Sequence, residues 1–203
     1  MKKLIAALTV LFASVFCFAN DYLNFTIPLD WGFYFQDKKN STNLDTYEYI
    51  WSYGVTAEYF HTFSGPFGLG VKGGVKKCDV HFEVGDNLDY DANSIGWSIA
   101  PSLGWAFDGS STKKKINIYP LIFERFNLTD IDGVDDDKFV LTNYKLGVTF
   151  SWQWGDDIVS NGVEFGFSLP WEGYVEYDGT KVSKNGTGFD FHIAYKLSVC
   201  MTN

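Results

Sequence analysis

Bulky apolar residues and small or polar ones take alternate places along most of this chain. In residues 93–107, Ile95, Trp97, Ile99, Pro101, Leu103, Trp105 and Phe107 hold every second position, and Ser94, Gly96, Ser98, Ala100, Ser102, Gly104 and Ala106 hold the rest. Period two places the two sets on opposite faces of a β-strand. The same alternation predicts strands over 23–35, 47–62, 68–82, 115–127, 139–154, 162–177 and 188–200, which makes eight in all. No helical apolar stripe of useful length interrupts them. The run 115–127 is the least regular: Pro120 removes a ladder donor and predicts a bulge, so which of Glu124 and Arg125 faces inward stays open.

The connections alternate in kind. Residues 63–67, 108–114 and 155–161 are short and rich in turn residues, while 36–46, 83–92, 128–138 and 178–187 are longer and polar. Neighbouring strands joined this way form an antiparallel up-and-down meander that closes into a barrel. Two barrels fit: a soluble carrier with the large residues inside, or a membrane barrel with them outside. Volume separates them. An eight-stranded barrel has an interior only just wide enough for side chains or one small ligand, and the bulky rows would overfill it. Glycine, alanine and serine fit that inner wall. The predicted fold is therefore all-β, an eight-stranded antiparallel up-and-down transmembrane β-barrel, with the apolar rows meeting lipid. Aromatic residues group at both ends of the runs, as interface belts do: Tyr59, Phe67, Trp105, Phe107, Trp152 and Trp154 at one end, and Phe33, Phe35, Tyr47, Tyr49, Phe82, Trp171 and Tyr177 at the other.

Charge strengthens this picture. Asp30, Glu48, Glu58, Lys72, Lys76, Lys145, Glu164, Glu172, Asp190, His192 and Lys196 share the phase of the small residues, which predicts a lumen of ion pairs. Residues 1–19 begin with two lysines, continue apolar and end small-x-small, so they read as a secretory signal cleaved after Ala19, leaving 20–203 as a single barrel domain. A lipoprotein signal acylated at Cys17 is the rival reading, and Phe16 stands where such signals need a small residue. Cleavage removes two lysines and no acids, leaving 14 basic against 25 acidic residues and shifting the net charge from −9 to −11. An exported acidic chain is a poor partner for nucleic acid. The remaining cysteines, Cys78 and Cys200, belong to opposite ends of the meander, and no disulfide between them is expected.

On strand count, phase and loop alternation, the chain resembles the small eight-stranded outer-membrane barrels, the class that includes the OmpA membrane domain, OmpX and OmpW. No motif fixes a subfamily. The resemblance implies the outer membrane of a diderm bacterium, with termini and short turns in the periplasm and the long loops outside. It also implies membrane lipids and the barrel-assembly machinery as partners. Such barrels usually end on an aromatic residue read by that machinery, whereas this sequence ends AYKLSVCMTN.

Candidate chemistry is sparse. Gly68-x-Gly70-x-x-Gly73 matches a dinucleotide fingerprint in form, but a strand follows it where a helix is required. Asp130, Asp132, Asp135, Asp136 and Asp137 crowd one loop and form a weak calcium candidate; Gly133 stands at the fourth place, not the sixth, and no glutamate closes a twelve-residue loop. His81, Ser94 and Asp79 are the only trio placed to form a lipid-modifying hydrolase at the outer rim. No cofactor and no enzymatic activity are expected. The leading expectation is a surface-exposed structural or interaction protein (adhesin, receptor or antigen) acting through loops 36–46, 83–92, 128–138 and 178–187. The alternative is an OmpW-like conduit for small or hydrophobic solutes, followed by a lipid-modifying enzyme and a soluble lipocalin-like carrier.

Overall fold

The computed structural model describes residues 20–35, 47–63, 65–84, 88–108, 112–131, 138–184 and 187–201. They form β1 (Asp21–Phe35), β2 (Tyr47–Thr62), β3 (Phe67–Val84), β4 (Leu88–Asp108), β5 (Thr112–Thr129), β6 (Phe139–Gly155), β7 (Val159–Tyr177), β8 (Thr180–Lys184) and β9 (Thr187–Cys200). Every strand is antiparallel to its neighbours from β1 to β7. β7 then pairs β9 from Val159↔Val199 to Ser168↔Asp190, and β9 returns to β1 from Tyr22↔Cys200 to Phe35↔Thr187. Eight strands thus close a barrel, and β8 is a short appendage on the upper part of β7. Closure leaves the ring without an open edge, which is what a backbone surrounded by hydrocarbon requires.

The strands run longer than the alternation alone indicated. β4 has 21 residues and β7 has 19, well beyond the roughly 9–11 that cross a bilayer when tilted. Most of 83–92, expected as a loop, is strand: β3 and β4 pair up to Val84↔Leu88. Likewise 178–187 contains β8, entered by a two-residue turn in which Asp178 (φ 47°) and Gly179 (φ 77°) both adopt left-handed backbone. That is the hairpin turn for which Asp-Gly is a standard sequence signal.

The outward rows are apolar and exposed, among them Ile95 (66%), Val55 (61%) and Ile27 (60%). At the short-turn end Tyr59, Phe67, Phe107, Trp152 and Trp154 face outward, as do Phe33 and Trp171 toward the other end. The side chains of Phe35, Tyr47, Tyr49 and Phe82 lie outside the described residues. The inward rows are small where strands crowd the axis: a Cβ on Gly70 would meet the Ser102 hydroxyl and the ring of Phe60, and one on Gly54 would run into the Val75 carbonyl.

Of the register slips among the described residues, two bear on which side chains face inward. Between Tyr119 and Ile122 the ladder to β6 slips around Pro120, as its missing N–H led us to expect. A second slip pairs Tyr144 with Glu172 and Lys145 with Pro170, leaving Trp171 over. This second bulge reverses the phase of upper β7. Val175, expected outside, is fully buried, and Tyr177 packs against the inner cluster instead of the membrane.

The small-inside rule also fails at the long-loop end. Tyr34, Cys78, Val80, Ala92, Phe126, Leu128, Ile131, Phe139, Leu141 and Val175 form a buried apolar cluster within the barrel mouth, with Val182 of β8 against it. At the same level several outward positions become polar: Asp79, His81, Asp91, Asn93, Asn127 and Thr129 follow the apolar rows of β3, β4 and β5. The upper barrel is thus built like a water-facing β domain, greasy inside and polar outside, while the lower barrel is the reverse.

Candidate functional site

Below the apolar cluster, the lumen is crossed by charged side chains supplied by all eight ring strands except β4, which contributes the hydroxyl of Ser102. In the lower part Glu58 is buried and accepts from Asn24 Nδ2 (2.9 Å), Ser102 Oγ (2.9 Å), Asn117 Nδ2 (2.8 Å) and Lys115 Nζ (2.8 Å). The Lys115 ammonium also lies 3.4 Å from the centroid of the inward-facing Phe60 ring, a close cation–π contact. Next to this group the hydroxyls of Thr26 and Thr56 bond each other, as do Ser198 and the Asn24 side chain.

Higher up, Glu164 accepts from Lys72 (2.9 Å) and Lys196 (2.7 Å). His192 links it to the next carboxylate: Nε2 lies 3.2 Å from Glu164 Oε1 and Nδ1 lies 2.5 Å from Asp30 Oδ1. Asp30 also receives Lys76 (2.8 Å) and the Ser52 hydroxyl (3.2 Å). Lys76 continues to Glu124 (2.7 Å), Glu124 to Lys145 (2.8 Å), and Lys145 to Asp190 (2.6 Å). Asp190 finally accepts from Tyr34 (2.7 Å) and Ser168 (2.8 Å), at the floor of the apolar cluster. The chain of contacts therefore runs without a gap from Lys196 to Tyr34.

Of the residues singled out from sequence, Asp30, Glu58, Lys72, Lys76, Lys145, Glu164, Asp190, His192 and Lys196 come together in this lumen. Glu172 does not. The extra residue at Trp171 turns it outward, where it is exposed and pairs with Lys181 of β8 at 3.1 Å. The side chain of Glu48 lies outside the described residues. Lys115 and Glu124 join the network without having been assigned to it. Lys115 was readable, because Ile116 and Ile118 set its phase; Glu124 needed the register slip at Pro120 to be located. Such pairs hold strands in place because removing one partner leaves a buried charge uncompensated, which costs about 3–5 kcal/mol.

The other candidates disperse. Ser94 faces the lumen and donates to the Cys78 carbonyl, 3.0 Å away, while His81 and Asp79 point to the opposite side of the wall, so the hydrolase trio never assembles. His81 instead contacts Asp91 at 2.9 Å. Gly68 and Gly70 lie within β3, with no helix after them. Of the acidic loop, Asp130 is exposed with left-handed backbone (φ 57°), and Asp132, Asp135, Asp136 and Asp137 lie outside the described residues. Among the described residues no cluster of His, Cys, Asp or Glu has metal-binding geometry. Cys78 sits in the apolar cluster at the long-loop end and Cys200 opposite Tyr22 at the other end.

No protein-family model matches the sequence, and no curated protein matches it. Among solved structures the chain is similar to the outer membrane protein OprG from Pseudomonas aeruginosa, at 9% identity and a TM-score of 0.54, over 88% of this chain and 95% of that one. It is also similar to the outer membrane protein AlkL, determined by solid-state NMR in DMPC lipid bilayers, at 10% identity and a TM-score of 0.50 over 91% of each chain. At such identities the likeness is one of fold. Closed ring, apolar exterior and these neighbours together give the conclusion: the chain has the fold of the small outer-membrane proteins, an eight-stranded antiparallel transmembrane β-barrel.

Proposed function

We propose that this protein works at its outer end, as a surface-exposed barrel that presents a raised rim and its loops to an extracellular ligand or partner protein. The observation that carries this reading is the closed lumen. Ion pairs span it from wall to wall, and the apolar cluster packs above them in the mouth. A wide aqueous path has no room there. What remains for recognition is the polar upper wall, whose strands the segments 36–46 and 128–138 join. The expected location is the outer membrane of a diderm bacterium, reached through a cleaved signal at residues 1–19 and the barrel-assembly machinery.

Single-channel recording in planar bilayers tests this directly. The refolded barrel should give no stable conductance steps, and shortening 36–46, or 132–137 within the 128–138 segment, should abolish capture of its partner while leaving the barrel folded. Reproducible steps would replace this reading with the solute conduit, and partner capture that survives both truncations would remove the loops from it.

A further inference from the structure

A cavity of about 70 Å³ lies in the middle of the barrel, walled by Lys72, Lys76, Lys145, Asp30, Glu124 and Asp190 among others. At roughly 10–15 Å³ per water-sized occupant it has space for about five. Cavities that stay empty are apolar ones; the wall of this one mixes apolar groups such as Ile122 and Val148 with charged side chains, so it is a place for something polar. The hydrogen bonds along its wall indicate what.

All the carboxylate oxygens on the wall are already engaged. Asp30 accepts from His192 on one oxygen and from Lys76 and Ser52 on the other. Glu124 accepts from Lys76 and Lys145, one on each oxygen. Asp190 accepts from Tyr34 on one side, and from Lys145 and Ser168 on the other. The ammonium groups are not used up. Each offers three N–H bonds; Lys72 spends one on Glu164 and lies over the Tyr119 ring (5.5 Å to its centroid), Lys76 spends two and Lys145 two, so four protons of these wall lysines are not spent on carboxylates.

Charge points the same way. Both ring nitrogens of His192 lie within hydrogen-bonding reach of carboxylate oxygens, which requires an N–H on each and therefore an imidazolium. With it, the connected group carries Lys72, Lys76, Lys145, Lys196 and His192 against Asp30, Glu124, Glu164 and Asp190, one positive charge in excess. Glu58 and Lys115 form a separate contact pair lower in the lumen. An uncompensated charge enclosed by protein and lipid is costly, and spare donors beside it form a site for an anion.

We propose that the cavity binds one small monovalent anion, of the chloride type, held by the spare ammonium protons of Lys72, Lys76 and Lys145. The site lies below the apolar cluster and is independent of whatever the outer end binds.

Crystals of the refolded protein soaked in sodium bromide provide the test, with chloride NMR line broadening of the detergent-solubilised protein beside it. One bromine anomalous peak should appear within hydrogen-bonding distance of those three nitrogens, and the folded barrel should broaden the chloride resonance. Ala100→Leu extends a wall residue into the cavity by three carbons without altering any charge. It should abolish the peak and the broadening while the folded, heat-modifiable gel band is retained. Water-like density with no anomalous signal overturns the proposal, as do peaks confined to exposed lysines such as Lys114, or broadening that survives in folded Ala100→Leu. Should that variant fail to fold, the bromide map of the unaltered protein decides by itself.

Discussion

Replacing Val55 by arginine separates the membrane barrel from its soluble rival. Val55 sits midway along β2 with 61% of its surface exposed, directly opposite Val75 of β3, itself 54% exposed. In water, Arg at so open a site would change stability by no more than about 0.5 kcal/mol. In hydrocarbon the same change places a cation near the bilayer midplane, at about 2–4 kcal/mol. With a tenfold ratio per 1.36 kcal/mol, that is roughly a thirty- to thousandfold loss in the folded-to-unfolded ratio. Phe107→Arg, at the short-turn rim where Phe107 is 49% exposed, is the matched control and should cost about 0–1 kcal/mol. Urea unfolding in phosphatidylcholine vesicles, followed by tryptophan emission, reads both. A Val55→Arg barrel with an unchanged midpoint would refute the assignment of this row to acyl chains.

Removing the carboxylate in Glu58→Gln should destabilise the barrel by about 3–5 kcal/mol, because Lys115 is left buried without its ionic partner. The double variant with Lys115→Met should recover much of that loss. A strictly additive double-mutant cycle in detergent unfolding would show that the pair is not coupled. At the β6–β7 turn, Asp156 accepts the backbone N–H groups of Ile158 (2.9 Å) and Val159 (2.5 Å), and these bonds hold its carboxyl below the usual carboxylate range. A depressed folded-state pKa contributes to turn stability above the unfolded value near 3.9, and the contribution is lost as pH falls through the lowered one. The amide shifts of Ile158 and Val159 should therefore titrate together with a midpoint below about 3.9; a midpoint at or above it contradicts the bonds.

Sequence made the lower barrel legible because one rule governs it. Every strand there meets lipid on one side and a narrow axis on the other, so size and polarity alternate together, and the phases of Glu58, Lys72, Glu164 and Lys196 follow from their neighbours. The rule breaks where surroundings change. Toward the long-loop end the outward positions turn polar, and Val80, Leu128 and Leu141 point inward in the phase that polar residues hold lower down. Bulges are the other cause: one extra residue at Trp171 sent Glu172 outside and Val175 inside. The break at Pro120 was readable as a missing donor, whereas its count of extra residues, which sets Glu124 inward, depends on pairing with strands far away in sequence. The turn at Asp178–Gly179 carried its signal openly, and it marks β8 inside what had read as a loop.

All seven tryptophans (Trp31, Trp51, Trp97, Trp105, Trp152, Trp154 and Trp171) occupy outward positions, and none faces the lumen. Fluorescence quenching by phospholipids brominated at graded depths therefore tests the inside-out arrangement most directly. Strong quenching, deepest for Trp97 and shallower for Trp154 and Trp171 in single-tryptophan variants, is the predicted result. A folded, monomeric protein in detergent-free buffer whose tryptophans brominated lipid leaves untouched would contradict it.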